Sequence, residues 1–305
     1  MIRYTRRKGV DLSELLESQY LPLNVGSITS DVTKRRYRRA VRWLGEAVRH
    51  TATVEDLTDD NLAAVAAYLR DSRGQQARTI NGTLECLRAL WRWARDRQLA
   101  KGGPTFAPLK VAARQPRAWR EEEMARLVQA ADAQGGSIGG MPARTWWLTL
   151  FALVMDTGAR ATELLSLRWE WIDWTAGTIS VDASVRKGGT RFACYGLRRE
   201  TLTWLERLRK PDGLILAWDM DQSRLYQLYG KLLQAAGLPN TRYTKLHCLR
   251  RTFATLLEAN GGDATLALGH ASRATTLRSY LDPTRTAKVH AAVIPFHPLR
   301  AVGAG

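Results

Sequence analysis

Eighteen residues in the first half of the chain, KGGPTFAPLKVAARQPRA (101–118), interrupt a pattern that is helical on both sides. Two glycines and three prolines disfavour a continuous helix there, and such a composition is typical of a linker. We therefore expect two domains in the 305 residues. The expected parts are a loosely ordered lead-in (1–25), a helical domain (26–100), the linker (101–118), a second domain (119–285) and a tail (286–305).

Apolar residues recur at helical spacing in the segment before the linker. Leu84, Leu87, Leu90 and Trp91 form one stripe, and Thr58 is suited to cap a helix that starts with two aspartates. After the linker, helical patterns enclose two short β-like runs, GTISVDASV and TRFACYGL, around the turn RKGG (186–189). The predicted fold is mainly α with a small β-hairpin in the second domain.

The charge balance indicates a polyanionic partner. Lys and Arg number 46 against 29 Asp and Glu, which gives a net charge of +17 and a pI near 10.3. Nucleic acid is the leading partner for so basic a chain, and a membrane surface is the weaker alternative. The sequence has no spanning apolar run and no apolar signal region, and its three cysteines (Cys86, Cys194, Cys248) form neither a disulfide framework nor a metal-binding spacing. These features fit a reducing cytoplasm.

Several polar residues could carry chemistry. His247 and Arg250 are three apart in HCLRR (247–251), so on a helix they share one face, where a bound anion would justify two adjacent cationic groups. The other candidates are Arg160 in DTGAR, Lys187 in the hairpin turn, His270 in LGH and Tyr280 before Pro283. Each has a structural alternative. Arg160 and Glu163 could form a surface ion pair, Lys187 could be solvated, His270 could cap a helix and Tyr280 could be half-buried.

Four blocks in this order resemble the tyrosine recombinases, the phage integrase family: TGARATELLSLRWEWID, RKGGTR, HCLRRTFATLLEANG and LGHASRATTLRSY. The resemblance covers about residues 25–285 and implies a two-domain clamp of Xer-like layout, in which a helical core-binding domain precedes the catalytic domain. It implies a site-specific recombinase or integrase that cleaves and rejoins DNA strands for integration, excision or resolution, without metal, ATP or other cofactor.

The resemblance also assigns roles to six residues. Tyr280 would attack a DNA phosphate and form a 3′-phosphotyrosyl bond. Arg160 and Arg250 would clamp the phosphate, and His247 and His270 would hydrogen-bond to it, with His247 the better candidate for the tyrosine proton. Lys187 would protonate the leaving 5′-oxygen.

The chain departs from the family pattern in four places. Arg251 stands where the family most often has histidine, and the strand after the hairpin reads FACYGL instead of Val-Pro-Leu. Arg186 precedes Lys187, so either could be the hairpin acid. The segment between Asp263 and LGH is a few residues shorter than expected, which could displace His270.

Outside the catalytic set, we predict that three groups of residues in the first domain contact DNA. The grounds are their positive or polar side chains and, for RTING, the resemblance to the family. These residues are Lys34, Arg35, Arg36, Arg38 and Arg39 in KRRYRR, Arg78, Thr79 and Asn81 in RTING, and Arg88 and Arg92 on a further basic face. The tail carries an apolar patch at 289–294, which the resemblance implies docks into a neighbouring subunit and closes a tetramer on DNA.

Two alternatives remain. A type IB topoisomerase has a similar catalytic constellation, but the core-binding domain and the apolar tail argue against it. A DNA-binding protein that has lost activity is opposed by the complete catalytic set, although a displaced His270 would favour it.

Overall fold

The computed structural model describes residues 9–26, 28, 30–112, 115–186 and 192–286. The chain divides into two compact units, Met1–Ala112 and Ala113–Gly305, each with its own hydrophobic core. The division falls inside the stretch that we interpreted as a linker. None of the helices in the described ranges is long and apolar enough to cross a membrane.

The regular secondary structure of the first unit is helical in the residues that the structure describes. Its α-helices are α1 (Leu12–Leu15), α2 (Leu21–Leu23), α3 (Asp31–Val48), α4 (Asp59–Ala67) and α5 (Ala77–Asp96). Turns of π-helix occupy Leu16–Tyr20 and Tyr68–Ser72, and a 3-10 turn spans Val54–Asp56. The predicted cap is confirmed, since the Thr58 hydroxyl accepts a hydrogen bond from the Asn61 N–H (3.2 Å).

The expectation of a loosely ordered lead-in is wrong for residues 12–23. Leu12, Leu15 and Leu16 are fully buried in the core of the first unit, and the Asp11 side chain caps α1. Basic residues are frequent in the first eight positions, and on that composition the whole lead-in was interpreted as loosely ordered.

Part of the expected linker also belongs to the first unit. The carboxylate of Asp59 accepts hydrogen bonds from the backbone of Thr105 and Phe106, and Phe106 and Leu109 pack against the core. The segment from Lys101 to Ala112 is therefore held in place although it forms no helix or strand.

The second unit places helices around two small antiparallel sheets. Its helices are α6 (Glu121–Asp132), α7 (Ala143–Thr157), α8 (Ala161–Leu164), α9 (Arg199–Glu206), α10 (Gln222–Ala235), α11 (His247–Ala259), α12 (Ala264–Leu268) and α13 (Arg273–Ser279), with 3-10 turns at Trp169–Trp171 and Ala183–Val185. Strands β1 (Ser137–Ile138) and β2 (Met141–Pro142) pair, and β3 (Ile172–Asp173), β4 (Thr178–Val181) and β5 (Ala193–Gly196) form a three-stranded sheet. The mainly α fold with a small hairpin is confirmed.

The pairing of β4 with β5 settles the strand register that FACYGL left open. Thr178 pairs with Gly196 and Val181 pairs with Ala193, so Ile179 and Tyr195 face each other across the strands. Ile179 lies in the core, and Tyr195 is buried beside it. Helix α7 contributes Trp146, Trp147 and Leu150 to this core.

Candidate active site

Arg160 lies at the break between α7 and α8. Helix α7 ends at Gly158, whose φ of 59° is left-handed, and a Cβ there would stand 2.3 Å from a ring carbon of Phe253. Glycine is therefore required by both backbone conformation and space. The turn places Arg160 at the N-cap of α8, where its guanidinium donates to Glu163 Oε1 (2.8 Å) and its backbone N–H donates to Oε2 (2.9 Å).

The interpretation of Arg160 and Glu163 as a surface ion pair is wrong. The Glu163 carboxylate is 1% exposed, while the arginine side chain remains 28% exposed and available to a ligand. Burial opposes ionisation of Glu163, but the hydrogen bonds and charge of Arg160 outweigh it, so the pKa of Glu163 lies below its ordinary value. Glu163 thus acts as a buried anchor that fixes the direction of Arg160.

Arg250 is 1% exposed, on the face of α11 that points into the second unit. Its Nη1 donates to the Gly158 carbonyl (2.6 Å) and its Nη2 to the Leu268 carbonyl (3.1 Å). Both carbonyls lie at helix ends, where backbone acceptors lack intrahelical partners. Burial, followed by the charge of Arg160, lowers the pKa of Arg250. Two helix ends therefore hold one guanidinium fork in a fixed orientation.

His270 reaches the same guanidinium despite the short segment before it. Helix α12 has only five residues, and Gly269 ends it in a left-handed conformation (φ 64°). The Nε2 atom of His270 lies 3.3 Å from Arg250 Nη2, and Nδ1 lies 2.9 Å from Thr276 Oγ1. Since arginine can only donate, the network assigns Nε2 as acceptor and Nδ1–H as donor to Thr276. The short segment therefore does not remove His270 from Arg250.

Tyr280 lies between the two histidines. Its ring centroid is 5.1 Å from that of His247 and 4.4 Å from that of His270, and Arg250 Cζ lies 5.4 Å from it. The residue is 8% exposed and follows directly after α13, with its N–H bonded to the Thr276 carbonyl (2.9 Å). Four of the residues singled out in the sequence are thus brought into one cluster, with Arg160 adjacent to it. His247 and Arg250 lie on α11, whereas His270 and Tyr280 follow the ends of α12 and α13.

Both histidines are neutral at neutral pH. Desolvation, followed by the charges of Arg251, Arg250 and Arg160, lowers the pKa of His247 to about 4, although its side chain reaches the surface. Desolvation and the charges of Arg250 and Arg160 lower the pKa of His270 to about 4 as well. A neutral imidazole at His247 is the form that can accept a proton.

A cavity of about 180 Å³ opens beside these groups. Arg160, His247 and Arg250 are among the residues that line it. The rest of the lining is mostly aliphatic, with the polar side chains of Thr162, Gln222 and Tyr226 among it. Two arginines and a neutral histidine thus border one cavity. It is suited to an anion with a single tetrahedral centre, such as a phosphodiester.

The hairpin contributes residues that the sequence left ambiguous. Lys187 lies outside the described residues, so its position stays a prediction. Arg186 Nη1 donates to the Phe192 carbonyl (2.9 Å), and its Nη2 lies 3.2 Å from where a Cβ on Gly269 would stand. Arg186 is therefore directed towards the loop that carries His270.

Sequence reasoning missed two further residues of this site. Tyr195 is buried on β5, where burial raises its pKa and the charges of Arg186, Arg250 and Arg160 act on it. Thr276 fixes the His270 tautomer. Only its helical spacing from Tyr280, one turn earlier on α13, could have indicated it.

The first unit carries a second cationic surface, on α3. Arg35, Arg36, Arg38, Arg39 and Arg42 line a shallow depression of about 610 Å³. Arg42 was missed in the sequence. Arg38 forms a two-pronged ion pair with Glu17 (2.7 and 2.8 Å), and Lys34 lies 3.9 Å from Asp31. Arg35, Arg36 and Arg39 are the exposed arginines of this surface whose guanidinium groups are directed at no carboxylate within the described residues.

On α5 the predicted contacts separate into two groups. Arg78 and Arg92 are exposed and Thr79 is partly exposed, whereas the Asn81 amide pairs at both ends with the backbone of Leu109 (2.8 and 2.9 Å). Arg88 is 6% exposed and bonds to Glu85, so the prediction of one continuous basic face is wrong at this position. Arg88 follows Leu84 by four residues and precedes Trp91 by three, which places it on the apolar stripe.

Comparisons with known proteins identify the family and the fold. The model of the Phage integrase family matches residues 117–286. A tyrosine recombinase XerC of Xylella fastidiosa (strain M23) is 27% identical over 311 residues, covering 93% of this chain and 98% of that protein. Among solved structures, the Tn1549 transposon integrase in complex with circular intermediate DNA matches with a TM-score of 0.69 at 16% identity, covering 93% of this chain and 99% of that chain. A lambda integrase tetramer bound to a Holliday junction matches with a TM-score of 0.67 at 17% identity, covering 89% and 78%.

Proposed function

The chain belongs to the phage integrase family and is a site-specific DNA recombinase, and on that premise we propose that Tyr280 is its nucleophile. The observation that carries this assignment is the position of the Tyr280 ring between His247 and His270, against the buried guanidinium of Arg250. The phenol oxygen attacks the phosphorus, an O–P bond forms, and the bond to the 5′-oxygen breaks. The bond energy is kept in the phosphotyrosyl ester, so the reverse attack by a 5′-hydroxyl rejoins the strand.

Arg160 and Arg250 bind the non-bridging oxygens and stabilise the charge that develops on them in the transition state. Their guanidinium directions are fixed before DNA arrives, by Glu163 for Arg160 and by two backbone carbonyls for Arg250. Such preorganisation is what makes electrostatic stabilisation effective, because no reorientation is needed during the reaction.

His247 accepts the phenolic proton. The low pKa of its imidazole, about 4, keeps it unprotonated at neutral pH, and its ring contacts that of Tyr280. Before DNA binds, His270 accepts a hydrogen bond from Arg250, which supports a role in orienting the arginine in addition to contacting phosphate. Lys187 protonates the leaving 5′-oxygen in this proposal.

The first unit binds duplex DNA through Arg35, Arg36 and Arg39 on α3 and Arg78 and Arg92 on α5. Their exposure and the net charge of the chain support this assignment. We further propose that four copies assemble on two duplexes through the tail, as the lambda integrase tetramer on a Holliday junction suggests. The tail patch at 289–294 lies outside the described residues. The protein acts in the cytoplasm, with the DNA.

The deciding experiment uses nicked duplexes prepared from the DNA that flanks the gene. Wild-type protein is expected to form a denaturant-resistant adduct at the 3′-phosphate, because loss of the nicked 5′ end prevents religation. Tyr280→Phe should form none, yet bind the same DNA with unchanged affinity. Adduct formation by the variant would overturn the nucleophile assignment.

Strand exchange between two marked duplexes separates the recombinase from a type IB topoisomerase. A recombinase yields recombinant products from paired sites. An enzyme that relaxes supercoiled plasmid and gives no recombinant product would contradict the proposal.

A further inference from the structure

Arg251 follows Arg250 on α11 but turns its side chain towards a different set of partners. Its Nε donates to the carbonyl of Ser279 (3.1 Å) and its Nη1 to the carbonyl of Tyr243 (3.3 Å). Ser279 is the last residue of α13 and directly precedes Tyr280. Tyr243 lies in the loop that enters α11. One guanidinium therefore ties together the end of the tyrosine helix, the start of the histidine helix and the loop before it.

Thr255 continues this set of contacts one turn further along α11. It is fully buried, and its hydroxyl donates to the Tyr280 carbonyl (3.3 Å) and accepts from the Asp282 N–H (3.0 Å). Residues four apart on a helix lie on one face. Arg251 and Thr255 thus bind three backbone groups of the segment 279–282, on both sides of the tyrosine.

These contacts determine where the tyrosine ring can lie. The carbonyl before Tyr280 and the carbonyl of Tyr280 itself are both fixed, and the Tyr280 N–H is bonded to Thr276. With its backbone held at three points, the side chain leaves α13 in one direction, between His247 and His270. A hydrogen bond from a charged donor is stronger than one between neutral groups, so Arg251 is the dominant of these contacts to the segment.

We propose that Arg251 is a positioning residue, which holds the Ser279 carbonyl and thereby sets the Tyr280 phenol in line with the scissile phosphate. This inference rests on the proposed role of Tyr280. Arg251 holds the backbone of the nucleophile segment. Its charge also lowers the pKa of His247, and Arg251→Lys keeps that charge while it changes the hydrogen bonds to the backbone. The opposite assignment is a DNA contact, in which the guanidinium leaves both carbonyls and binds a phosphate near the site.

The test compares Arg251→Gln, Arg251→Lys and Thr255→Val with wild type on the nicked duplex at saturating protein. A misplacement of reacting atoms by about 1 Å can cost on the order of 100-fold in rate, so we expect a loss approaching that for Arg251→Gln. Lysine can reach one of the two carbonyls and should restore part of the rate. DNA affinity should remain that of wild type for all three. The matched control is Arg209→Gln, which removes an exposed charge that lies over Trp174, away from the site.

Two readouts separate positioning from other roles. Amide hydrogen exchange of the segment 279–282 should accelerate in Arg251→Gln and not in the control, whether or not DNA is cleaved. A duplex with sulfur as the bridging 5′ atom needs no proton donor for its leaving group, so it rescues loss of a general acid but should not rescue Arg251→Gln.

The outcomes are distinct. A fall in DNA affinity that matches the fall in rate, with unchanged exchange, would make Arg251 a DNA contact and overturn the inference. A wild-type rate in Arg251→Gln would overturn it as well. Absence of any adduct with wild-type protein would instead count against Tyr280 as nucleophile, while faster exchange in the variant would still support the backbone contact.

Discussion

Arg250 shows why a single residue type is needed at the centre of the site. Its Nη1 and Nη2 atoms bond to the carbonyls of Gly158 and Leu268, and Arg250 also lines the cavity that Arg160 borders. Lysine has one ammonium group and cannot hold two inward carbonyls while it binds two phosphate oxygens.

We therefore predict that Arg250→Lys lowers the rate of adduct formation by about 100- to 1,000-fold, the range found when one donor to a transition-state oxyanion is removed. The rate is measured with saturating protein on the nicked duplex, and affinity is measured separately by titration. Arg250→Lys keeps a positive charge, which makes it the control for loss of charge in Arg250→Ala. Equal losses of rate and affinity would show that Arg250 serves binding alone.

The neutral histidines predict how stability depends on pH. Both have pKa values of about 4 in the folded protein, against an ordinary value of 6.5. Below pH 6.5 the two histidines become protonated in the unfolded chain but stay neutral in the folded protein. The free energy of unfolding should therefore fall as the pH drops from 6.5 towards 4. Denaturant titrations across this range test the prediction. The double variant His247→Gln with His270→Gln should show a weaker dependence, and an identical dependence would contradict the low pKa values.

At the scale of secondary-structure elements, α5 shows how burial separates two identical side chains. Arg88 and Arg92 are one turn apart, but Arg88 lies within the apolar stripe beside Leu84 and Trp91, and its bonded partner is Glu85. Arg92 is exposed.

We predict that Arg92→Gln weakens DNA binding and leaves the melting temperature unchanged, whereas Arg88→Gln lowers the melting temperature. The reason is that the Arg88 side chain is packed among core residues, so its replacement by the shorter glutamine leaves buried space. Thermal unfolding and a DNA titration on both variants decide the matter. If Arg88→Gln kept its melting temperature and lost much of its DNA affinity, Arg88 would be a DNA contact and our prediction would be wrong.

The elements also show what the sequence could predict. The mainly helical fold, the hairpin and the cap at Thr58 follow from local patterns, since each depends on neighbours within one or two turns. Arg250, His270 and Tyr280 were predicted to share one site because the sequence blocks that carry them follow each other in the order of the family. The contacts that hold these residues were not, because the carbonyls of Gly158, Leu268 and Ser279 are identical in chemistry to every other carbonyl and only the fold brings them to an arginine.

Residues 12–23 escaped prediction for a different reason. Their apolar residues occupy less than four turns, interrupted by Pro22 and carried partly on a π-helical turn, so no regular period develops. Burial of Leu12 and Leu15 depends on α3 and the loop at Ala52, with which the chain pairs only after folding. Short segments stabilised by distant partners carry weak local signals.

For the whole molecule, the net charge of +17 resides in a chain that must both find DNA and react with one phosphate. In our proposal, arginines on α3 and α5 serve the first task and the pair Arg160 and Arg250 the second. The exposed arginines of the first unit would neutralise phosphates along the duplex and release counterions, so that the logarithm of affinity falls linearly with the logarithm of salt concentration, by about 0.9 for each phosphate neutralised.

We predict that DNA affinity falls steeply with salt, whereas the rate of adduct formation from the saturated complex does not, because Tyr280 and Arg250 are buried and poorly screened. Replacing Arg35, Arg36 and Arg39 together by Gln should reduce the salt slope by about one unit for each lost phosphate contact and leave the saturated rate unchanged. Titrations at several salt concentrations and single-turnover rates at saturating protein test both parts. A flat salt response would contradict binding through the exposed arginines. A saturated rate that fell with salt would show that the same ions compete for the phosphate position between Arg160 and Arg250, and that binding and chemistry share one set of charges.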